Sequence, residues 1–416
     1  MDRTLQRNIT VDITKIKPAT DKSIPPRLCV VGIVPYESPV IGQHHPQMTI
    51  RSTKFEDRLP YVEQIRFSSI AQQGLLPSIS FRAPSKLRDS LRSFMALGLP
   101  EVDYILARAP GVLPWDLNHP EIAQMFISYL AGVQGAVIVF PDAGGPWPRA
   151  FGDLRYIEDR QKNLRQCVQY FSSILADNYQ IGLMDFVHSS TDLQQYIWSL
   201  QGADIGLCTW SGTHHNLARH GWRSAAASIG GFITNRHDLF SESIVGHYLP
   251  LGEGRHITPN RSTLLGAPSE AAIDPVLLEH CISMQVHARK DIAQVLSDPI
   301  NRRPIGEWSI ATVRLVKAIH QSLRRAADLF VFRPVKNIEA ITFKTAIQMA
   351  LAPFYNEGLL NGPGGSGEPE ITTEALPDRD VPMLSADLAA QIQPWCRHIS
   401  LKVVIKSGQQ PIIQES

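Results

Sequence analysis

The chain has 416 residues, 44% of them hydrophobic, which is enough to bury a sizeable core and points to two or three domains. Its 40 basic and 39 acidic side chains leave a formal net charge of +1, so bulk electrostatics give no case for binding nucleic acid or an anionic membrane. Five scattered cysteines, Cys29, Cys167, Cys208, Cys281 and Cys396, form no Cys-x-x-Cys pair and fit free buried thiols in a reducing compartment.

At the start, Met1-Asp2-Arg3 runs into polar residues instead of the apolar region of a signal peptide, and the longest apolar runs fall short of a membrane span. A soluble, cytoplasmic protein is the expectation. Ile9, Val11 and Ile13 then alternate with Thr10, Asp12 and Thr14, a short strand set off by Pro18, Pro25 and Pro26. Residues 1–27 therefore read as an arm on a tether, and such a strand can add to the open sheet edge of another chain. A first α/β module over 28–110 opens with a strand at Leu28 to Val34; Pro77, Pro84, Pro100, Pro110 and Pro114 punctuate this part.

The central module, 111–303, has helical character at Glu121 to Leu130 and Asp159 to Ala176, with a strand at Gly135 to Phe140. Gly144-Gly145-Pro146 and Pro148 mark a loop. Mixed strands and helices of this kind give an α/β to α+β class.

From Trp308 to Phe330, Val313, Val316, Leu323, Ala327 and Phe330 recur mostly three or four apart, with Arg314, Lys317, Arg324 and Arg325 on other faces. That is a helix with one buried stripe, stopped by Pro334. A second helix carries Phe343, Ile347, Ala350, Leu351 and Phe354 and runs into Gly358 and the turn Asn361-Gly362-Pro363-Gly364-Gly365-Ser366-Gly367. Residues 304–398 thus read as a helical part followed by an extended, proline-marked segment. At 399–416 comes a closing strand or arm: Ile399, Leu401, Val403 and Ile405 face one way, Ser400, Lys402 and Lys406 the other. Period two alone leaves two readings open, a strand closing the domain's own sheet or one given to a neighbour.

Catalytic motifs fail one by one. Zinc needs three or four convergent ligands, and His214, His215 and His220, with Asp204 and Cys208 nearby, are the densest group, yet His215 and His220 stand five apart and no His-Glu-x-x-His occurs. A polar surface loop accounts for them. Ser211-Gly212 and Ser224 lack the Gly-x-Ser-x-Gly elbow of a serine nucleophile. Asp142-Ala143-Gly144-Gly145-Pro146 is no phosphate loop, and no Gly-x-Gly-x-x-Gly follows a strand. No catalytic residue, metal ligand or cofactor is assigned.

The C-terminal residues resemble a known signature. Arg314, Ser322-Leu323-Arg324-Arg325, Val331-Phe332-Arg333-Pro334, the second helix and Gly358-Leu359-Leu360-Asn361-Gly362 are similar to the pattern of contractile tail sheath proteins, with Arg333 where glutamate is usual there. Gly202 to Trp210 and Ala227 to Asp238 resemble two further segments of that family, the latter at a different spacing, and Leu76 to Pro84 resembles the small sheath subunit of type VI secretion systems. The resemblance covers roughly residues 200–416. It implies a mixed-sheet sheath core whose terminal arms complete sheets in neighbouring subunits, with Ile9, Val11 and Ile13 on one arm and Ile399, Leu401, Val403 and Ile405 on the other. It implies a structural role without catalysis: a helical homo-oligomer around an inner tube protein, meeting baseplate and terminator or cap proteins, with no direct nucleic acid contact and no membrane insertion. A phage tail, a type VI system and an extracellular injection particle all remain compatible with it. A soluble α/β enzyme with a site built from dispersed residues, or a baseplate or adaptor component, is the alternative.

Overall fold

The computed structural model describes residues 27–34, 48–52, 61–68, 101–109, 112–133, 136–144, 154–186, 204–211, 224–235, 243–250, 275–287, 292–302, 308–379, 381–393 and 397–415, with isolated positions between 86 and 99 and at 197 and 200. The arm strand expected at Ile9, Val11 and Ile13 lies outside the described residues, as do His214, His215 and His220 and the stretch from Leu76 to Pro84. The described chain divides into two compact units, one up to Ala318 and one from Ile319 to Ser416.

The first unit is built on a mixed ten-stranded sheet in the order β2-β3-β4-β1-β5-β6-β7-β9-β10-β8. Its centre is parallel: β1 (Leu28–Val34) lies between β4 (Glu101–Arg108) and β5 (Val137–Phe140), followed outward by β6 (Ile181–Asp185), β7 (Ile205–Ser211) and β9 (Ile282–His287). Antiparallel strands extend both ends, β2 (Met48–Ser52) and β3 (Tyr61–Ser68) on one side, β10 (Ile292–Val295) and β8 (Tyr248–Pro250) on the other. Parallel strands covered on both faces read as continuous apolar runs, which is why β1, β5 and β6 are Leu-Cys-Val-Val-Gly-Ile-Val, Val-Ile-Val-Phe and Ile-Gly-Leu-Met-Asp.

Alternate residues serve different layers. Cys29, Val31, Ile33, Ile138 and Phe140 join the core formed with α1 (Pro120–Leu130) and α2 (Leu154–Asp177). Pro120 suits the first helical position because its missing N–H is not needed there. On α2, Leu164, Cys167, Val168, Phe171 and Leu175 are buried at helical spacing, and Phe171 lies 4.9 Å from the ring of Phe140. Gln180 beyond α2 sends its amide to the carbonyls of Leu130 and Val133, at 2.7 and 2.8 Å, satisfying acceptors that the end of α1 leaves without helical partners.

α3 (Ala225–Asn235) packs close to the sheet and is buried from Ala225 to Thr234. Two glycines make that approach possible: a Cβ on Gly230 would stand 2.5 Å from Val139 Cγ2, and one on Gly231 2.7 Å from Leu97 and 2.9 Å from Phe94. α4 (Pro275–His280) leads into β9, and α5 (Ile310–Asp328) spans the division between the units, which falls after Ala318.

The second unit holds the remainder of α5, α6 (Asn337–Asn356) and a five-stranded sheet in the order β11-β13-β14-β15, with β12 also on β13. The strands are β11 (Leu360–Asn361), β12 (Glu370–Leu376), β13 (Met383–Ile392), β14 (Arg397–Lys406) and β15 (Ile412–Glu415). Both predicted helices are present, and α5 ends six residues before Pro334. Gly358 has φ +72°, a left-handed conformation that closes α6, and a Cβ on Gly362 would stand 2.7 Å from the Ser366 carbonyl oxygen. The extended segment expected ahead of Ile399 is in fact two strands, β12 and β13.

An alanine normally strengthens a helix relative to glycine by up to about 1 kcal/mol. In Gly230→Ala the new methyl meets a β-branched side chain on a central strand, where overpacking costs about 1–3 kcal/mol, so the variant is expected to be less stable than the parent, read as a lower denaturation midpoint with an unchanged m-value.

Candidate assembly surface

In a doubly wound sheet the strand order reverses at a switch point, and the crevice at the carboxyl ends of the strands there is the usual ligand position. Here the reversal lies at β1, flanked by β4 and β5. At the carboxyl ends of β5 and β6 stand Asp142 and Asp185, 1% and 2% exposed. Lys86 Nζ lies 2.5 Å from Asp185 Oδ2, and the Lys86 backbone N–H donates to Asp142 Oδ1 at 2.8 Å. The other oxygen of Asp185 accepts Ser224 Oγ at 3.0 Å and the Ala226 N–H at 2.7 Å. Ser224 is the N-cap of α3, its own oxygen accepting the Ala227 N–H at 2.9 Å.

These are groups of the kind that catalysts use, but in this structure each is engaged with another. Burial pushes the Asp185 carboxyl above its ordinary range, against the pull of Lys86 and the hydrogen bonds from Lys86, Ala226 and Ser224. Burial also pushes the Cys208 thiol well up, with Asp185 and Cys281 adding to it, and raises Cys167 to about 12 with Asp116 adding. Thiols held protonated in this way are poor nucleophiles. The arrangement locks the segment at Lys86 and the start of α3 to the sheet.

Asp204 and Cys208, associated in sequence with the histidine group, are placed by other contacts. Asp204 pairs with Lys317 Nζ and lies 3.6 Å from Arg302 Nε, while the Arg302 guanidinium stacks 4.2 Å over Trp308. Cys208 is buried within β7. Among the described residues no three His, Cys, Asp or Glu side chains are grouped to hold a metal, and no helix is long and apolar enough to cross a membrane.

The second unit is one-sided. Ile371 on β12 pairs with Leu388 on β13, which pairs with Leu401 on β14; Ala386, Val403 and Ile413 form the next such row. Residues paired directly across strands share a face, so this face is mainly apolar, with Thr373 opposite Ala386 and Glu415 opposite Leu401 as its polar members. The other carries Thr372, Asp387, Lys402 and Gln414 in one row. α6 turns Ala340, Phe343, Ile347, Leu351 and Phe354 inward.

Ile399, Leu401, Val403 and Ile405 are 8%, 1%, 1% and 2% exposed, all on the apolar face of β14. β14 pairs with β13 along its whole length and with β15 from Leu401 to Val404. Within this chain the alternation therefore builds the unit's own sheet, the first of the two uses that period two leaves open. The outer strands among the described residues are β12, with the two-residue β11 beside it, on one side and β15 on the other. The segment leading into β15 is held by α5: Arg324 donates to the Pro411 carbonyl and, at 2.8 Å, to Gln410 Oε1, and His320 Nε2 lies 3.2 Å from Glu415.

Sequence reading passed over β15, whose four residues are too short to show alternation. It also passed over the outward setting of Phe332, 90% exposed although its neighbours Phe330 and Val331 are buried. Of the other residues carrying the resemblance, Arg314 and Ser322 are buried in α5, and Gly358 and Gly362 have the backbone roles given above.

No family model and no curated protein matches the sequence. Among solved structures the chain is similar to the helical sheath of the anti-feeding prophage in its contracted state, at 15% identity and a TM-score of 0.48, over 85% of this chain and 83% of that one. It is similar to a chain of the six-fold symmetrised anti-feeding prophage baseplate at 11% identity and a TM-score of 0.45, over 85% and 86%. A third similar chain is from the sheath complex of PVC, an extracellular contractile injection system, in its contracted state, at 11% identity and a TM-score of 0.45, over 100% and 94%.

Removing one partner of a buried ion pair strands the other charge and costs about 3–5 kcal/mol. Lys86→Met should therefore destabilise the chain, and the loss should depend on pH with a definite sign. Without the lysine only the hydrogen bonds from Ser224 and Ala226 oppose the burial that raises the folded-state pKa of Asp185, so the folded form binds more protons than the unfolded one. Stability of the variant relative to the parent is then best below the ordinary carboxylate pKa and falls as pH rises toward neutrality. Denaturant unfolding of both proteins across that range reads the difference; a gap independent of pH would remove Asp185 from the account.

Proposed function

We propose that this chain is a structural subunit of a helical contractile sheath, one that surrounds an inner tube and drives it forward on contraction. The reading is carried by a coincidence at residues 314–367. The positions through which the sequence resembles sheath proteins are those that build α5, the turn to α6 and the glycine turn ahead of a sheet with two unlike outer strands. A helix of identical copies needs different surfaces meeting head to tail, because like-on-like contacts close into pairs. β12 is bordered by Glu370 and Glu374, β15 by Ile412 and Glu415, so the two sides of the sheet differ in chemistry.

Strand addition supplies a link that survives rearrangement, because backbone hydrogen bonds follow the strand while compact bodies turn. With β14 occupied on both sides, the acceptor is an outer strand of the sheet, and Ile9, Val11 and Ile13 of a neighbouring copy have the alternation of a donor. The arms at 1–27 and 399–416 retain their proposed place at the joints, the second as the receiving side. Inner tube, baseplate and terminator proteins are the partners of such a subunit, and its place is a contractile particle. No step calls for catalysis: an extended array holds its work in interfaces and releases it as they repack.

Electron microscopy of the full chain should show long cross-striated tubes. A chain lacking residues 1–14 should stay folded by circular dichroism and form no ordered tubes. Regular tubes from the truncated chain would remove strand donation by that arm, and discrete small particles from the full chain that turn over a substrate would replace the sheath by an enzyme.

A further inference from the structure

The helix layer of the second unit has an outer face set apart from its sheet. On α6 the buried residues Ala340, Phe343, Ile347, Leu351 and Phe354 mark the side toward the strands, and Ile338 and Ile341, each 67% exposed, stand opposite them. The turn before α6 adds Phe332 at 90% and Leu329 at 51%. This turn is fixed: the Arg333 guanidinium lies 4.7 Å over the Phe330 ring and reaches Glu339 Oε2 at 3.3 Å, so Phe332 and Ile338 are held on one corner.

The charge around this corner is positive. Arg325, Lys336 and Lys344 are exposed, while two of its carboxylates already have cations, Glu339 with Arg333 and Asp328 with Arg324 at 3.2 Å. On the other side of the unit the sign reverses. Ile371 of β12 faces the helices, so its neighbours Glu370, Thr372 and Glu374 face away, and all three are exposed. The nearest paired cation in that layer, Lys402, lies 3.5 Å from Asp387.

We propose that the apolar, basic corner Leu329–Phe332–Ile338–Ile341 of one copy docks on the acidic outer face of β12 in the next copy. The two patches are complementary in charge and lie on opposite sides of one unit, so a single chain cannot satisfy them by itself and two copies can. Such a contact is heterologous and propagates head to tail. Phe332 is the anchor, an aromatic ring free to bury at the centre of the contact, and Lys336 and Lys344 with Glu370 and Glu374 form a rim that steers and orients. The inference deepens the sheath reading by naming one self-contact, and it relies on that reading only for the expectation that copies associate.

Sedimentation of the full chain reads association directly. Phe332→Asp should weaken self-association by about 30-fold or more, the effect of losing a central aromatic anchor. Two charge-reversed chains, Lys336→Glu with Lys344→Glu and Glu370→Lys with Glu374→Lys, should each associate poorly alone and recover when mixed in equal amounts, with the recovery weakened by salt. These four side chains are exposed, so the charge arm stands even if Phe332→Asp disturbs folding. Association of Phe332→Asp at the parent's strength, a monomeric parent, or reversed chains that fail to recover on mixing would each overturn the docking. A parent that associates through this corner yet builds no tubes would remove the sheath reading and leave the contact; tubes that form from either charge-reversed chain alone would do the opposite.

Discussion

The Asp185 carboxylate is the point on which the first unit's layers are registered. It sits at the end of β6 and takes the ammonium of Lys86, the hydroxyl of Ser224 and the N–H of Ala226. An unpaired carboxylate at that depth would cost several kcal/mol, so the three donors cannot be varied one at a time. The donors of α3 also lie at its first turn, where aligned peptide dipoles favour a negative charge. Once that turn is fixed, the helix axis is fixed, and Gly230 and Gly231 must pass within contact of Val139, Phe94 and Leu97. The glycines and the ion pair are thus one device: the pair sets where the helix starts, and the missing Cβ atoms set how close it lies.

The second unit answers the opposite problem. Its sheet buries one face under helices and leaves Thr372, Asp387, Lys402 and Gln414 on the other, so alternation, and not a continuous apolar run, organises its strands. A small sheet of this kind has outer strands with backbone groups to satisfy, and proteins blunt such edges with charge or with tethered segments. Both means are present. Glu370 and Glu374 border β12, and Arg324 and His320 hold the stretch from Gln410 to Glu415 against α5.

Legibility in the sequence followed signal strength at each element. β14 was legible because Ile399, Leu401, Val403 and Ile405 are all large and apolar; its partner β13 alternates too, but through Ala386 and Ala390, and the two large apolar residues of β12, Ile371 and Leu376, stand five apart and so do not alternate. α6 shows its stripe because solvent meets one side of it over much of its length, whereas α5 shows one because Arg314, Lys317, Arg324 and Arg325 occupy its other faces, although the helix is buried from Ile310 to Lys317. α3 shows none, since burial from Ala225 to Thr234 removes the polar face that creates a period. The glycine turn was legible as a turn, although the distinct needs of Gly358, a positive φ, and Gly362, room for two carbonyl oxygens, required coordinates. The ion pair joins residues 99 apart and has no local trace at all. Alternation likewise could not tell whether β14 served its own sheet or another's, because both uses bury the same four side chains.

On the proposed reading, Phe332 shows why an open corner suits a subunit that must change neighbours. Val331 and Phe330 beside it fold inward, so the chain has the means to bury an aromatic there and points this one outward instead. Burying such a ring in a contact contributes about 1.5–3 kcal/mol. Joining two free copies costs an estimated 4–15 kcal/mol in lost freedom, so the ring by itself does not hold a pair together and the rest of the corner and its charged rim must add to it. In an array whose copies are already tethered by strands, that cost has been met by the tether, and a corner of modest strength suffices to choose between one packing and another. On the proposed reading the two kinds of joint therefore divide the work by strength: backbone pairing keeps the copies connected, and the side-chain corner, weak enough to be exchanged, sets which arrangement the array adopts.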